Sequence, residues 1–252
     1  MPSYHLVAES EHELQNPTSP AKIGLLGRQM RLGSGSTILD VASGRGGPAM
    51  ILAETFGCRI TCVETADEFD AAARRRANEK GLEQLIEFLH ADARDFSSGL
   101  ERYDAALCLG ASFIWDGLPG TLAALDPAVR GGGFIAVGEP YWRTWPLPER
   151  AEPDEGEDFL PLPETIERFQ AAGLELVTLI DASLDDWDRY ESLHWLTAEK
   201  WLTQHTHDPD AENIRVLNER FRDRYLRWQR ELMAGRLSSG ASARRVAQDR
   251  SF

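Results

Sequence analysis

A glycine-rich turn between two apolar segments is the feature of this sequence with the clearest chemical meaning. Residues 38–41 read Ile-Leu-Asp-Val, which places one acid, Asp40, near the end of a short apolar run. Residues 44–47 then supply three glycines, and the apolar segment that begins at Pro48 favours a helix. Because glycine lacks a Cβ, backbone in such a turn can approach a ligand closely, and the helix aims its N–H groups at polar ligand atoms. The pattern predicts a site for a nucleotide-like ligand.

Two classes of ligand fit this turn. Residues 44–49 match the G-x-G-x-x-G/A fingerprint of dinucleotide sites, and Glu64 follows about 20 residues later, where that fingerprint has its ribose-binding acid. An NAD site, however, brings a pyrophosphate to the turn, and the carboxylate of Asp40 would repel it. S-adenosylmethionine (SAM) carries a sulfonium and an ammonium group, which the same carboxylate would attract. Asp40 therefore favours SAM, and an NAD-dependent oxidoreductase stays as the alternative.

Residues 40–46 resemble motif I of the class I SAM-dependent methyltransferases, usually written (D/E)-x-G-x-G-x-G, with Ala42 in place of the first glycine. Four further landmarks of that family follow in its order, each at the end of a predicted strand: Glu64, Asp92, Gly110 and Glu139. The resemblance covers residues 5–233 and implies SAM-dependent methyl transfer by in-line displacement from the sulfonium. A non-catalytic SAM-binding protein is a second alternative, because fold does not fix function.

The implied fold class is α/β: a Rossmann-like, doubly wound and mostly parallel sheet, with an N-terminal helical extension and C-terminal helices. We expect an N-terminal helical cap over residues 1–35 and a SAM-binding domain over residues 36–233. Within this domain, residues 141–163 are aromatic, proline-rich and then acidic, and they predict a lid-like loop after the fifth strand. Residues 234–252 lack a strand pattern, so we expect a disordered tail. Either the sheet lacks its usual last strand, or the coding frame has changed near Met233.

The resemblance also implies roles for individual residues. Asp40 orients the methionyl amine end of SAM, Glu64 holds the ribose, and Asp92 lies near the adenine. The implied cofactor-binding residues are Asp40, Ala42, Ser43, Gly44, Gly46, Glu64, Thr65, Asp92, Ala93, Leu109 and Gly110. For each acid, the structural alternative is a helix cap or a surface carboxylate.

A narrower resemblance concerns the methyl acceptor. The block Gly-Glu-Pro-Tyr-Trp-Arg at residues 138–143, together with the pair Glu9-x-x-His12, is similar to a bacterial subfamily of small-molecule methyltransferases, which implies a small-molecule acceptor. A protonated oxygen or nitrogen nucleophile can require a general base. Glu139 and Tyr141 are candidates because they follow the fifth strand at the cleft edge, and His12 is a third if the N-terminal segment folds over the site. Structural roles are the alternative for all three.

Composition limits the partners and the location. The formal net charge is −14 at pH 7, whereas nucleic acids and anionic membranes require a basic face, so we expect neither as a partner. No apolar run approaches the ~20 residues of a membrane span, and residues 1–20 lack the pattern of a signal peptide. We expect Cys58, Cys62 and Cys108 to be reduced packing thiols, and hence a cytoplasmic protein. The oligomeric state is left open.

Residues 205–210, with the sequence His-Thr-His-Asp-Pro-Asp, contain side chains that can bind zinc. The aspartates and the proline are also typical of a polar turn before a helix. We interpret the run as such a turn and expect no metal site.

Overall fold

The computed structural model describes residues 4–96, 99–100, 102–153 and 159–242. These residues form a seven-stranded sheet with the strand order β3-β2-β1-β4-β5-β7-β6, in which β7 runs antiparallel to both of its neighbours. The strands are β1 (Thr37–Val41), β2 (Arg59–Glu64), β3 (Ile86–His90), β4 (Tyr103–Leu109), β5 (Val129–Trp142), β6 (Leu174–Asp181) and β7 (Met233–Ser242). The predicted Rossmann-like, mostly parallel sheet is confirmed.

Helices cover both faces of the sheet. They are α1 (Tyr4–Ala8), α2 (Pro20–Gln29), α3 (Gly47–Phe56), α4 (Asp67–Glu79), α5 (Leu118–Leu125), α6 (Leu162–Ala171), α7 (Leu184–Gln204), α8 (Ala211–Arg224) and α9 (Arg230–Leu232), with a π-helical turn at Tyr225–Gln229 between the last two. One apolar core joins α2, α3 and α4 to the sheet, and a second joins α5 and α6 to its other face. A third cluster joins α1, α7 and α8. Among the described helices, none has both the length and the apolar character required to cross a membrane.

The central strands end together at one edge of the sheet. They are buried on both faces, as parallel strands between helical layers must be, and their sequences are therefore almost continuously apolar. Val41 of β1 is in register with Val63 of β2 on one side and with Cys108 of β4 on the other. The strand order reverses between β1 and β4, which is where ligands bind in open α/β sheets. The loops that carry the predicted site residues meet at this point.

Residues 234–242 correct the expectation of a disordered tail and a missing last strand. They belong to β7, which fills the space between β5 and β6 and pairs with both, from Met233 opposite Trp142 to Ala241 opposite Phe134. Both of its edges are therefore hydrogen-bonded, and the sheet is complete. Residues 243–252, the rest of the predicted tail, lie outside the described part of the chain.

Close packing explains why β7 lacks a recognisable strand pattern. A Cβ added to Gly235 would lie 3.0 Å from the ring of Trp187, and one added to Gly240 would lie 2.9 Å from Leu174. Ser239 is completely buried as well. Small side chains are therefore required where neighbouring elements press on the strand, and alternating large apolar residues would not fit.

The predicted lid-like loop is shorter than residues 141–163. β5 continues through Tyr141 and Trp142, and α6 begins at Leu162. Trp142 packs against Trp228 and Met233, which ties the start of the connection to the C-terminal helices. Residues 154–158 of the loop lie outside the described residues.

The three cysteines are buried free thiols, as predicted. Burial raises the pKa of Cys58 to about 11 and that of Cys108 to about 12, so both are neutral at physiological pH. Cys62 and Cys108 lie in β2 and β4 and fill the core beneath the site.

Candidate functional site

The glycine-rich loop after β1 is built from left-handed backbone. Ala42, Gly44 and Gly46 have φ angles of 51°, 55° and 71°. Glycine adopts such angles without a steric penalty, whereas Ala42 bears a cost of roughly 1–2 kcal/mol. Ala42 therefore adopts the left-handed conformation that glycine usually has at this position of the motif. The loop leads into α3, and Gly46 is the N-cap of that helix.

Glu64 connects this loop to the end of β2. Its carboxylate accepts hydrogen bonds from the backbone N–H groups of Gly44 (2.8 Å), Thr65 (2.9 Å) and Ala66 (2.8 Å). A carboxylate has about four acceptor positions, so one is left for a further donor. Glu64 is thus a structural support for the loop and can still accept a hydrogen bond from a ligand hydroxyl.

A small cavity of about 320 Å³ lies beside Glu64. Five of the predicted cofactor-binding residues line it: Ala42, Glu64, Thr65, Asp92 and Ala93. Another wall is formed by the short 3-10 helix Ser112–Trp115 after β4. It contributes Phe113 and Ile114, together with Asp116, which caps the helix at its C-terminus. The predicted ribose and adenine residues therefore surround one compartment.

Asp92 has a partner that the sequence interpretation missed. The guanidinium of Arg94 bonds its carboxylate with an Nη2–Oδ2 distance of 2.6 Å, and the Arg94 backbone N–H donates to Oδ1 at 2.9 Å. These bonds lower the pKa of Asp92 to about 2. Arg94 also lines the small cavity. The Asp-x-Arg spacing was the available signal, because a side chain two residues on can reach back to an aspartate at the start of a turn.

Asp40 lies beneath the glycine loop and is only 2% exposed. Its Oδ2 atom has no hydrogen-bond partner among the described residues, and Asp40 lines neither the small cavity nor the larger one described below. Burial, with a contribution from the charge of Glu64, raises the pKa of Asp40 to about 7. A cation placed nearby would therefore stabilise the ionised form of this buried carboxyl.

Residues 9–18, which we call the strap, cross over the glycine loop. Gln15 Oε1 accepts a hydrogen bond from the Arg45 backbone N–H at 2.6 Å. A Cβ on Gly44 would lie 2.1 Å from that same oxygen, and a Cβ on Gly110 would lie 2.5 Å from Oδ1 of Asn16. Both glycines also have left-handed φ angles, 55° for Gly44 and 87° for Gly110, so a side chain at either position would strain the backbone and displace the tip of Gln15 or Asn16.

A larger cavity of about 580 Å³ lies between the strap, the loop after β4 and the ends of β5 and β7. Its aromatic walls are Phe113, Phe159, Trp187 and Tyr190, and its charged groups are Asp116, Glu139 and Arg236. Gly110 also lines it, whereas Ser43, Gly44, Gly46 and Leu109 line neither cavity. Phe113 and Asp116 line both cavities, so the two compartments adjoin at these residues.

The three predicted general-base candidates occupy different places. Glu139 lines the larger cavity and is buried. Tyr141 lines neither cavity; its hydroxyl donates to Asp181 Oδ2 at 3.2 Å, and burial together with the Asp181 charge raises its pKa. His12 is also outside both cavities, and its Nε2–H donates to the backbone carbonyl of Tyr190 at 3.1 Å. Only Glu139 of these three contacts the space that a ligand can occupy.

A buried ionic cluster holds the strap against α7. The ring nitrogens of His194 lie 3.6 Å from Glu9 Oε1 and 3.7 Å from Glu191 Oε2. Burial alone would lower the pKa of His194, but the two carboxylates outweigh it and raise the pKa to about 9. The neighbouring His12 shows the opposite shift, because burial and the charge of His194 lower its pKa. His194 is thus the cation of the cluster at neutral pH.

Replacing His194 by glutamine is expected to loosen the strap, because glutamine cannot carry this charge. In the wild type the stabilisation is fully present below pH 6.5 and is lost as the pH rises through about 9. It amounts to about 3 kcal/mol at most. Hydrogen exchange of the strap amides, measured relative to those of β1, tests this. His205→Gln is the control, since His205 is exposed and stacks on Trp201. Unchanged strap exchange in His194→Gln would contradict the assignment.

The run at residues 205–210 forms the predicted polar turn between α7 and α8. His205 caps α7, and Asp208 Oδ1 accepts a hydrogen bond from the Asp210 backbone N–H at 2.9 Å. α8 begins at Ala211, two residues later than a Pro209 start would give. Within the described part of the chain, no group of three or more His, Cys, Asp or Glu side chains has a metal-binding arrangement.

Three comparisons with known proteins agree with this geometry. A family model described as a methyltransferase domain matches residues 38–133. A SAM-dependent methyltransferase from Thiobacillus denitrificans, solved in complex with S-adenosyl-L-homocysteine, is 34% identical with a TM-score of 0.89 and is matched over 96% of this chain and 99% of its own. A SAM-dependent methyltransferase from Geobacter sulfurreducens, solved with the same ligand, is 32% identical with a TM-score of 0.85, over 95% and 98% of the two chains.

The Escherichia coli protein YjhP is 34% identical over 235 residues, which cover 92% of this chain and 94% of YjhP. The matches to YjhP and to the two solved structures extend over nearly the whole chain, and the two complexes with S-adenosyl-L-homocysteine favour the SAM hypothesis over the dinucleotide alternative that the glycine pattern allowed. This chain therefore belongs to the SAM-dependent methyltransferases and uses SAM as its cofactor.

Proposed function

We infer that this methyltransferase acts on a small-molecule acceptor held in the larger cavity, while the adenosyl part of SAM occupies the small one. The observation that carries this proposal is that the two compartments adjoin at Phe113 and Asp116, at the carboxyl edge of the sheet. A transfer reaction requires donor and acceptor to meet, and adjoining compartments provide this.

On the cofactor side, the residues present fit SAM. Glu64 keeps one acceptor position for a ribose hydroxyl, and Asp40 Oδ2 is a buried carboxyl oxygen without a partner, which a cationic group would satisfy. We assign cofactor contacts to the residues implied by the family resemblance: Asp40, Ala42, Ser43, Gly44, Gly46, Glu64, Thr65, Asp92, Ala93, Leu109 and Gly110. When bound, SAM supplies an electrophilic methyl group on its sulfonium.

On the acceptor side, the chain positions the substrate and excludes water. The aromatic walls and the strap enclose the larger cavity, and Glu139 contributes a carboxylate to it. We assign Glu139 as the general base that accepts a proton from an oxygen or nitrogen nucleophile. Tyr141 and His12 are positioning residues, because the Tyr141 hydroxyl bonds Asp181, Nε2 of His12 bonds the Tyr190 carbonyl, and neither residue lines the cavity.

The size of the cavity and the charge of the chain support a small acceptor. A cavity of about 580 Å³ holds a compact organic molecule, as ligand pockets of this size do. A net charge of −14 disfavours nucleic acid. A cytoplasmic location stays a prediction.

The first experiment is a calorimetric titration of the protein with SAM, S-adenosylhomocysteine (SAH) and NAD. We expect micromolar binding of the two adenosyl ligands and none for NAD, because Asp40 repels a pyrophosphate. Binding of NAD alone would contradict the proposal. Methyl transfer from labelled SAM to candidate acceptors then separates an enzyme from a non-catalytic SAM-binding protein.

A matched pair of variants tests which cavity holds which ligand. Ala93→Leu places added volume in the small cavity, and Ala182→Leu does so in the larger one. We expect Ala93→Leu to weaken SAH binding about tenfold or more, since overpacking costs roughly 1–3 kcal/mol. Ala182→Leu should leave SAH affinity near that of the wild type and weaken binding of the acceptor. The reverse result would exchange the two assignments.

A further inference from the structure

Arg236 is a charged residue whose side chain is buried in the interior of the protein. It lies on β7, is 3% exposed and lines the larger cavity. Within the described residues, none of its Nε, Nη1 and Nη2 atoms makes a hydrogen bond. A guanidinium has five N–H donors, and buried ones are almost always bonded. This side chain therefore lacks the partners that its burial demands.

The surrounding charges do not supply those partners. β7 places Arg236 directly opposite Glu139 of β5 and Asp181 of β6, so the three side chains lie in one row across the sheet. Both carboxylates act on Arg236 through their charge, yet neither bonds it; Asp181 accepts from Tyr141 instead. The guanidinium lies over the Tyr141 ring, 4.7 Å from its centre. This contact keeps the charge in place and leaves its N–H groups unused.

Such an arrangement costs stability, which calls for a functional reason. Burying an ion without hydrogen bonds is unfavourable by several kcal/mol, and an apolar side chain of similar volume would serve the core better. The arginine lines the cavity that we assign to the acceptor. A ligand group that completes its hydrogen bonds would recover part of this cost on binding.

The chemistry of the cavity selects the kind of group. A planar guanidinium matches a carboxylate, which can accept two parallel N–H bonds. The cavity already holds the acids Glu139 and Asp116, so a doubly charged phosphate is repelled more than a monoanion. Its walls of Phe113, Phe159 and Trp187 suit an apolar or aromatic body.

We propose that Arg236 binds a carboxylate of the methyl acceptor, so that the acceptor is a small carboxylic acid with an apolar body. The proposal rests on the function inferred above and names the substrate class of that site. In this arrangement Arg236 binds the anionic end of the acceptor, and the neighbouring Glu139 accepts the proton from the nucleophile. Arg236 thereby determines specificity, and its register with Glu139 sets the carboxylate close to the reacting group.

The test uses matched pairs of acids and amides on the SAH-saturated protein. Phenylacetate and phenylacetamide form one pair, and indole-3-acetate and indole-3-acetamide form the other; binding is followed by ligand-observed NMR. We expect the carboxylates to bind the wild type and the neutral amides to bind about 10- to 100-fold more weakly, as expected for charge-assisted hydrogen bonds. Arg236→Met should abolish this preference. Arg143→Met, which removes an exposed arginine directly after β5, should retain it.

Several results would overturn the proposal. These are equal binding of acids and amides to the wild type, no binding of either carboxylate, or an acid preference that survives in Arg236→Met. Thermal unfolding adds a second measurement: a ligand-binding arginine predicts that Arg236→Met is as stable as the wild type or more so, whereas a structural arginine predicts a loss. If Arg236→Met does not fold, Arg236→Lys replaces it and is expected to lose most of the preference.

SAH affinity separates this proposal from the one on which it rests. Wild-type protein that fails to bind SAH contradicts the proposed function. Protein that binds SAH normally, in wild-type and Arg236→Met forms alike, but shows no acid preference contradicts only the role of Arg236.

Discussion

Replacing Asp40 by asparagine is expected to weaken SAM binding by about tenfold or more and, at the same time, to stabilise the ligand-free protein above pH 7. The two effects have one cause. In the free protein, Asp40 is a buried carboxyl whose Oδ2 has no partner among the described residues and whose charge is opposed by Glu64. In the proposed assignment, the same carboxylate faces the cationic end of SAM, which stabilises its charge.

The pH dependence follows from the direction of the shift. Burial raises the pKa of Asp40 from 3.8 to about 7, so the folded protein favours the protonated form. Its contribution to stability is fully present below about pH 4 and is lost as the pH rises through 7, by about 4 kcal/mol at most. Asparagine mimics the neutral carboxyl and removes this loss. SAM affinity of the wild type should therefore rise between pH 5 and pH 8 as the carboxylate forms, whereas Asp40→Asn should show no such rise.

Calorimetry at three pH values and urea unfolding in parallel measure both effects. Asp70→Asn is the matched control, because Asp70 is also a buried carboxylate but pairs with Arg74 on the same helix. It is expected to lower stability and to leave SAM affinity unchanged. An Asp40→Asn protein that binds SAM as tightly as the wild type would show that Asp40 does not face the methionyl amine.

The parallel half of the sheet and the clustering of Glu64, Thr65 and Asp92 around the small cavity could be predicted from the sequence, because each depends on local chemistry. Buried parallel strands are apolar throughout, and the turns after them carry acids and glycines. Asp92 and Glu64 thus mark the small cavity by position alone. Ala42 was a departure from the motif, yet its φ of 51° keeps the left-handed turn.

The larger cavity could not be predicted in the same way, because distant segments form it. Its walls come from the strap, the loop after β4, the ends of β5 and β7, and α7, which no local pattern joins. β7 was misjudged because tight packing selects Gly235, Ser239 and Gly240, a composition that is also typical of disorder. Arg236 lies on the same strand and was therefore not identified as a site residue from the sequence. Its importance depends on a missing partner, which only three-dimensional contacts reveal.

Replacing Glu64 by alanine is expected to have the largest combined effect on folding and on cofactor binding. Three backbone N–H groups lose their charged acceptor, those of Gly44, Thr65 and Ala66. Each unsatisfied buried donor costs about 1–3 kcal/mol, and water entering through the small cavity offsets part of the sum, so we expect a loss of about 3 kcal/mol in unfolding free energy. The glycine loop then loses its side-chain tie to β2, while the backbone bond from the Ser43 N–H to the Val63 carbonyl (3.2 Å) remains.

The loss in SAM binding free energy should be of similar size to the loss in stability, because two effects add. Under the assignment proposed above, the variant lacks the acceptor for a ribose hydroxyl, and the glycine loop is held less firmly in its left-handed turn. We expect a decrease of about 100-fold or more, measured by calorimetry at a temperature where the variant is folded. Glu68→Ala, which removes an exposed carboxylate in the first turn of α4, is the control and should change neither quantity greatly. If Glu64→Ala were destabilised but bound SAM normally, Glu64 would serve the loop alone, and the ribose would have to be held by other residues of the small cavity.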